Sequence, residues 1–317
     1  MLIITIQFVM GLCALLAGSH FLVDSAIRLA QRYQVPAFIV GTFLIGFGTS
    51  APELFITFFA IQKQAISLSV GNVLGSYIGN IGLVLGLSAC LRPIHLSQHI
   101  VSTAIPLLIS SLGITIILCL DGNLSINDGL LLLGCLAIFC IYTHRYPSDN
   151  TTPIATSQPP SSLVIIYSVA CLSIIATAVG SHWMIQSAQE IASYFGISDL
   201  VIGLTIVAIG TSLPELITAL LCRYHDQDDL YLGNVIGSNI FCLLGILPLP
   251  ILFSTNGVAT GGLWFELTTM WILTLVFWLF AVCFNSNKQI SRTEGAIILL
   301  LYIFYLMLLL QPSWVSN

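Results

Sequence analysis

Two glutamates stand inside long apolar runs, Glu53 in GTSAPEL (48–54) and Glu215 in GTSLPEL (210–216). A carboxylate in hydrocarbon is costly, and is tolerated only where it faces a bundle interior, a water-filled cavity or a cation. No lysine or arginine lies in the interior of either run to pair with it. The residues beside each glutamate suit a hard cation, which prefers oxygen. Thr49 and Ser50 precede the first, Thr211 and Ser212 the second, and a proline stands immediately before each. Proline lacks an N–H and clashes with the carbonyl four residues earlier, which frees carbonyls around Gly48/Thr49 and Gly210/Thr211. Interrupted helices whose carbonyls face a cavity are how transporters hold Na⁺ or H⁺ near the membrane midplane. A second motif follows each first one, GNVLGS at 71–76 and GNVIGS at 233–238. Ser76 and Asn80 fall four residues apart on one helix face, as do Ser238 and Cys242. Asn72 and Asn234 serve either as further ligands or as struts between helices. The chemistry on offer is an oxygen-only nest for a hard cation.

These motifs are one motif used twice. Every pair stands 162 residues apart with no gap, and 14 of 40 positions match between 41–80 and 203–242, which identifies an internal duplication. The register extends upstream, where Gly18-Ser19-His20 matches Gly180-Ser181-His182. Two equivalent carboxylates in two halves point to one site at a pseudo-symmetric interface.

The elements that must position this site lie in a membrane. Hydrophobic residues make up 57% of the 317 and charged residues 7%, against roughly 25% charged in soluble domains. Too few polar residues remain to coat a globule. Nothing forms a basic nucleic-acid patch, and no resident cofactor is expected, the ions being cargo. The nine cysteines include no CxxC and read as small apolar fillers. Apolar stretches near the roughly 20 residues that cross a bilayer fall at about 2–23, 36–61, 68–91, 100–120 and 126–143. A second set falls at about 162–185, 197–222, 231–254, 262–285 and 294–311. This predicts an all-α membrane protein of ten transmembrane helices in two inverted five-helix repeats, with Gly/Pro-kinked motif helices 2 and 7. The first repeat covers 1–143, a polar linker 144–161, and the second repeat 162–317. Five spans is an odd number, so the second repeat crosses in the opposite sense to the first.

With the N-terminus outside, Arg28, Arg32, Arg92, Arg145, Arg223, Lys288 and Arg292 lie inside and only Lys63 outside. The positive-inside rule thus places both termini outside and the linker in the cytoplasm. His20 and His182, at matched positions, read as packing or capping residues near the membrane boundary. The acidic stretch HDQDD at 225–229 reads as a solvated loop.

Other classes fit less well. Ser50 and Ser212 beside a glutamate suggest an intramembrane hydrolase, but nucleophilic serine chemistry needs a base within reach, and no His or Lys sits in these helices. A passive cation channel calls for an open pore and not a symmetric pair of kinked acidic helices.

At these residues the chain resembles the sodium/calcium exchanger branch of the calcium:cation antiporters, whose two α-repeats carry a G-T-S-x-P-E core followed by G-N-x-x-G-S-N. It looks like a short prokaryotic-type member, the linker having no room for a large regulatory domain. The resemblance implies an inner-membrane antiporter, multi-pass, that exchanges Ca²⁺ for Na⁺ by alternating access. Glu53 and Glu215 would bind the two ions in turn. Thr49, Ser50, Thr211 and Ser212 would add oxygens, Ser76 and Ser238 would complete outer Na⁺ sites, and Asn80 would supply an amide ligand. The first and sixth spans would slide. Two positions depart from the family: Tyr77 replaces the usual Asn, and Cys242 stands where Asp or Asn is common. A thiol is a poor Ca²⁺ ligand, so Cys242 is expected to line the cavity without ligating, with exchange independent of K⁺. Proton-coupled relatives carry G-N-x-x-E; here Gly75 and Gly237 occupy that last position, which makes proton coupling the alternative.

The charge bias generates a direct test. A reporter fused after Asn317 should report the external side and one inserted at 146–160 the cytoplasm; both on one side would rule out the inverted repeat.

Overall fold

The computed structural model describes residues 2–33, 36–145, 162–194, 208–224, 226–255, 257–282 and 289–309. The linker at 146–161, His225 and Cys283 lie outside them. In hydrocarbon every backbone N–H and C=O must be satisfied within its own segment, and the apolar runs are accordingly helical.

The first span is α1 (Leu2–Tyr33). The second is bent, with α2 (Val40–Thr49) meeting α3 (Ala51–Gln62) at 43°. Then follow α4 (Ile66–Leu91), α5 (Ile100–Asp121) and α6 (Ile126–Arg145). The second half runs α7 (Leu163–Tyr194), α8 (Ala208–Thr211) and α9 (Leu213–Tyr224). It ends with α10 (Asp228–Phe253), α11 (Trp264–Val282) and α12 (Arg292–Leu309). Among the described residues eight helices are long and apolar enough to span, and the bent α2–α3 pair makes a ninth. The tenth is the α8–α9 segment, whose upstream part falls in 195–207, outside the described residues.

The repeats are inverted relative to each other. Four two-residue strands, β1 (Ile94–His95), β2 (Asn123–Leu124), β3 (Val258–Ala259) and β4 (Gln289–Ile290), pair antiparallel as β1 with β4 and β2 with β3. β1 follows the third span and β4 the ninth; β2 follows the fourth and β3 the eighth. Each pair needs an even number of crossings between its strands, as spans that alternate in direction supply. The same turn is also built twice: among the described residues, Gln64 and Asp226 are the two non-glycine residues with left-handed backbone, at φ 58° and 56°, and stand one repeat apart.

Both α1 and α7 run 32 residues, about 48 Å at 1.5 Å per residue, and overshoot a hydrocarbon core about 30 Å thick. The apolar spans end close to where the sequence has them, near residues 23 and 185, and both helices continue beyond them, where polar i,i+4 contacts support the extensions. Asp24 pairs with Arg28 at 2.9 Å, and Gln186 donates to Glu190 at 3.5 Å.

The stretch after α9 is not the solvated loop its acidity suggests. Arg223 is buried, pairs with Asp228, and donates to the carbonyls of Arg92 and Pro93. Asp228 also accepts from the His95 N–H at 2.8 Å, and Asp226 pairs with Arg92. Buried Arg223 thus holds Asp228 and Arg92 holds Asp226, and Asp228 and Asp229 start α10 where acidic side chains complement the helix dipole.

Glycines set how closely the helices approach. A Cβ on Gly41 would lie 2.2 Å from the Leu230 carbonyl oxygen, and one on Gly233 2.5 Å from that of Phe38. The glycine spacing of the second motif therefore serves to press α10 against the second span. Gly18 meets Thr177 and Gly180 meets Gly11 in the same way, joining α1 to α7. Gly41→Val should consequently destabilise the protein by about 1–3 kcal/mol as backbone is forced apart. Gly134→Ala, which meets nothing within 4 Å, should be neutral or stabilising by about 0.5–1 kcal/mol. Thermal melts of the detergent-solubilised variants check both.

Candidate functional site

The elements that carry the two motifs break where the motifs begin. Pro52 cannot donate to the Gly48 carbonyl, and the helix gives way at Ser50 (φ −83°, ψ 3°) between α2 and α3. Pro214 stands at the same place relative to α8 and α9, with Ser212 in the gap. Glu53 and Glu215 thus sit in the first turns of α3 and α9, where the helix dipole favours a negative charge.

The walls opposite are widened. Within α4 and α10 the backbone opens into π-helical turns at Asn80–Leu85 and Cys242–Ile246. Both begin at the last site position of their repeat. Such turns often mark functional sites. A further π-turn at Val40–Ile45 precedes the first break. Hydrophobic periodicity carries no signal for these turns.

Every site residue expected from the sequence is fully buried: Thr49, Ser50, Glu53, Ser76, Asn80, Thr211, Ser212, Glu215, Ser238 and Cys242. The two repeats cross-supply each other. Thr211 and Ser76 lie beside the Glu53 carboxylate, and Thr49 and Ser50 beside that of Glu215. The two carboxylates are close enough for the charge of Glu53 to act on Glu215. Ser76 and Thr211 share a hydrogen bond of 3.0 Å that joins the halves.

The remaining contacts separate groups that build the cavity from groups that face it. Thr49 Oγ1 donates toward the Ile45 carbonyl at 3.1 Å and lies 3.2 Å from Asn234 Oδ1. Ser238 Oγ approaches Asn234 Oδ1 at 3.4 Å and the Gly46 carbonyl at 3.5 Å. Asn72 donates to the Glu53 carbonyl at 3.4 Å. Asn72 and Asn234 thereby act as struts. Among the described residues, all four carboxylate oxygens, by contrast, lack a well-formed hydrogen bond, as do Ser50 Oγ, Ser212 Oγ and Asn80 Oδ1. Buried polar atoms are almost always partnered, and four unpartnered carboxylate oxygens with three more from neighbouring residues are what a cation would satisfy. Among the described residues no three His, Cys, Asp or Glu side chains close on one point. A cation here must therefore complete its shell from hydroxyl, amide and backbone oxygens, which suits Na⁺ or Ca²⁺ and not a thiophilic metal.

Sequence reasoning missed three groups. Thr57 and Thr218, one turn beyond each glutamate, are buried with unpartnered hydroxyls; their spacing of four and three residues from the carboxylates was the available signal. Asn239 accepts from Asn80 Nδ2 at 3.1 Å, a contact between α4 and α10 that spacing along one helix does not reveal. His20 and His182 pack against Phe21 and Phe59, at ring distances of 5.4 and 5.2 Å, and lie apart from the site.

Comparison with known proteins agrees with this geometry. The chain matches the family described as sodium/calcium exchanger protein over residues 3–144 and 165–311. It is 30% identical over 325 residues to the inner membrane protein YrbG of Escherichia coli strain K12, covering 100% of this chain and 98% of that one. It is 28% identical to the sodium/calcium exchanger MaX1 of Methanosarcina acetivorans, covering 96% and 99%. Among solved structures, the sodium-calcium exchanger NCX_Mj soaked with Na⁺ and Sr²⁺ superposes with a TM-score of 0.80 at 32% identity, covering 97% of this chain and 99% of that one.

If the carboxylates hold the cation, Glu53→Gln or Glu215→Gln should weaken Ca²⁺ binding about 100-fold, or about 2.8 kcal/mol, in protein that still inserts and folds. Titration calorimetry on purified variants with wild-type melting behaviour checks this; unchanged affinity in either would remove that glutamate from the ligand set.

Proposed function

The chain belongs to the sodium/calcium exchanger family, and from that premise we propose that it exchanges Ca²⁺ for Na⁺ across the inner membrane by alternating access. It is a multi-pass membrane transporter and not an enzyme. The observation that carries the finer reading is the pair of buried carboxylates with all four oxygens unpartnered, ringed by hydroxyl and amide oxygens from both repeats. Two formal negative charges balance one Ca²⁺ or two Na⁺, so either cargo neutralises the same cavity. Glu53 and Glu215 hold the ions in turn. Thr49, Ser50, Thr211 and Ser212 add hydroxyl or carbonyl oxygens at the helix breaks, and Ser76, Ser238 and Asn80 line the opposite wall. Cys242 faces the cavity without ligating. The α1–α7 pair moves past the rest of the bundle to expose the cavity to one side and then the other, with both termini outside.

Sodium is favoured over protons as the coupling ion by the residues absent from the site. Gly75 and Gly237 leave the second motif without a carboxylate in either half, so the site offers oxygen ligands in place of an extra titrating acid.

Ca²⁺ uptake into Na⁺-loaded proteoliposomes, with and without a pH gradient, tests the reading. Uptake should require the outward Na⁺ gradient and be unaffected by a protonophore. Uptake driven by a pH gradient without Na⁺ would make the protein a proton-coupled exchanger, and uptake with no opposing gradient would make it a channel.

A further inference from the structure

The two halves of the cavity match until their last level, where they part. Asn80 and Cys242 are repeat equivalents, and so are Tyr77 and Asn239. In a symmetric molecule residue 80 would contact residue 239 just as 242 contacts 77. Only the first of these contacts is polar. Asn80 Nδ2 donates to Asn239 Oδ1 at 3.1 Å between two fully buried side chains. On the other side Tyr77 turns away, its hydroxyl lying 2.9 Å from Thr274 Oγ1 in α11. Thr274 gives its own proton to the Met270 carbonyl at 2.7 Å, so Tyr77 is the donor and has none left for Cys242.

An asparagine amide presents a carbonyl at one end and two donors at the other. A cation accepts only the carbonyl, and a freely turning amide would also offer its N–H groups to the nearby glutamates. Asn239 removes that freedom. By accepting from Asn80 Nδ2 it leaves Asn80 Oδ1 as the free end, and that oxygen has no partner among the described residues. Asn80 begins the π-turn of α4 and lies one turn beyond Ser76, which stands beside Glu53. The oxygen is therefore presented at the same wall as the carboxylate.

We propose that Asn239 is a positioning residue that fixes Asn80 with its carbonyl oxygen toward the transported cation, and that the cavity is lopsided as a result. Ca²⁺ gains an amide ligand from the first repeat and none from the Tyr77–Cys242 side. This inference rests on the exchange reading above.

A double-mutant cycle tests it, with Ca²⁺ KM and kcat measured in Na⁺-loaded proteoliposomes for Asn239→Leu, Asn80→Ala and the pair. Residues that act through one another give non-additive effects. Asn239→Leu should raise the Ca²⁺ KM about tenfold with kcat little changed, a shift of about 1.4 kcal/mol. The double variant should be no worse than Asn80→Ala alone. Asn239→Ala serves in the same cycle where leucine does not fold. Tyr77→Phe, on the dry side, should leave KM within about twofold. An unchanged KM in Asn239→Leu or Asn239→Ala, or effects that multiply in the double variant, would overturn the positioning role while leaving exchange intact. A wild-type protein that exchanges no Ca²⁺ would overturn the exchange reading and this inference with it.

Discussion

Two like charges held in hydrocarbon with no basic partner are the constraint on which the rest of this structure depends. Each carboxylate alone would be expensive to bury, and their mutual repulsion adds to the cost. The protein does not relieve it with an ion pair. Arg223 is buried too, but it is spent at the end of α9 on Asp228 and two carbonyls. What the fold supplies instead is polarity without charge, through helix N-termini, hydroxyls and amides aimed inward from both repeats. That environment is good enough to let the carboxylates exist and too poor to satisfy them. On the proposed reading, a cation completes it.

The scaffold around the pair is built for rigidity at the centre. Backbone approaches backbone at Gly41 and Gly233, and Gly237 packs on Thr42, so α10 seats closely against the second span. The short strand pairs tie loops at both ends of the bundle, β1 to β4 at one and β2 to β3 at the other. Thr49 Oγ1 bonds back to the Ile45 carbonyl and lies against Asn234 Oδ1, and so holds the wall. On the proposed reading, the unpartnered carboxylate oxygens face the cargo.

Much of this was legible in the sequence because the duplication states it twice. Glu53 and Glu215, the proline breaks and the serines of the second motif are local patterns, and a pattern repeated at a fixed offset is hard to mistake. The spans were legible because hydrocarbon admits few solutions. Features that depend on what lies across a helix interface were not. The π-turns at Asn80 and Cys242 have no periodicity of their own, and the Asn80–Asn239 contact joins residues 159 apart. The HDQDD stretch misled because acidity usually means solvent, whereas Asp228 is taken by buried Arg223 and Asp226 by Arg92. The apolar pattern marked the spans in α1 and α7 but not how far these helices continue beyond them, since polar residues form the extensions.

The seam between α1 and α7 carries a consequence of its own. Gly18 lies against the backbone of Ser173 and Thr177, and Gly180 against that of Gly11 and Leu15. Helices in such intimate register have no room to slip past one another, so they can travel only as a single shuttle. If the pair moves as the proposed function has it, one shuttle on an inverted frame would work like the bolt of an airlock: the stroke that uncovers one mouth would cover the other. A leak would then require the bolt to be in two places at once, and protection against it would be mechanical, needing no signal between the two doors.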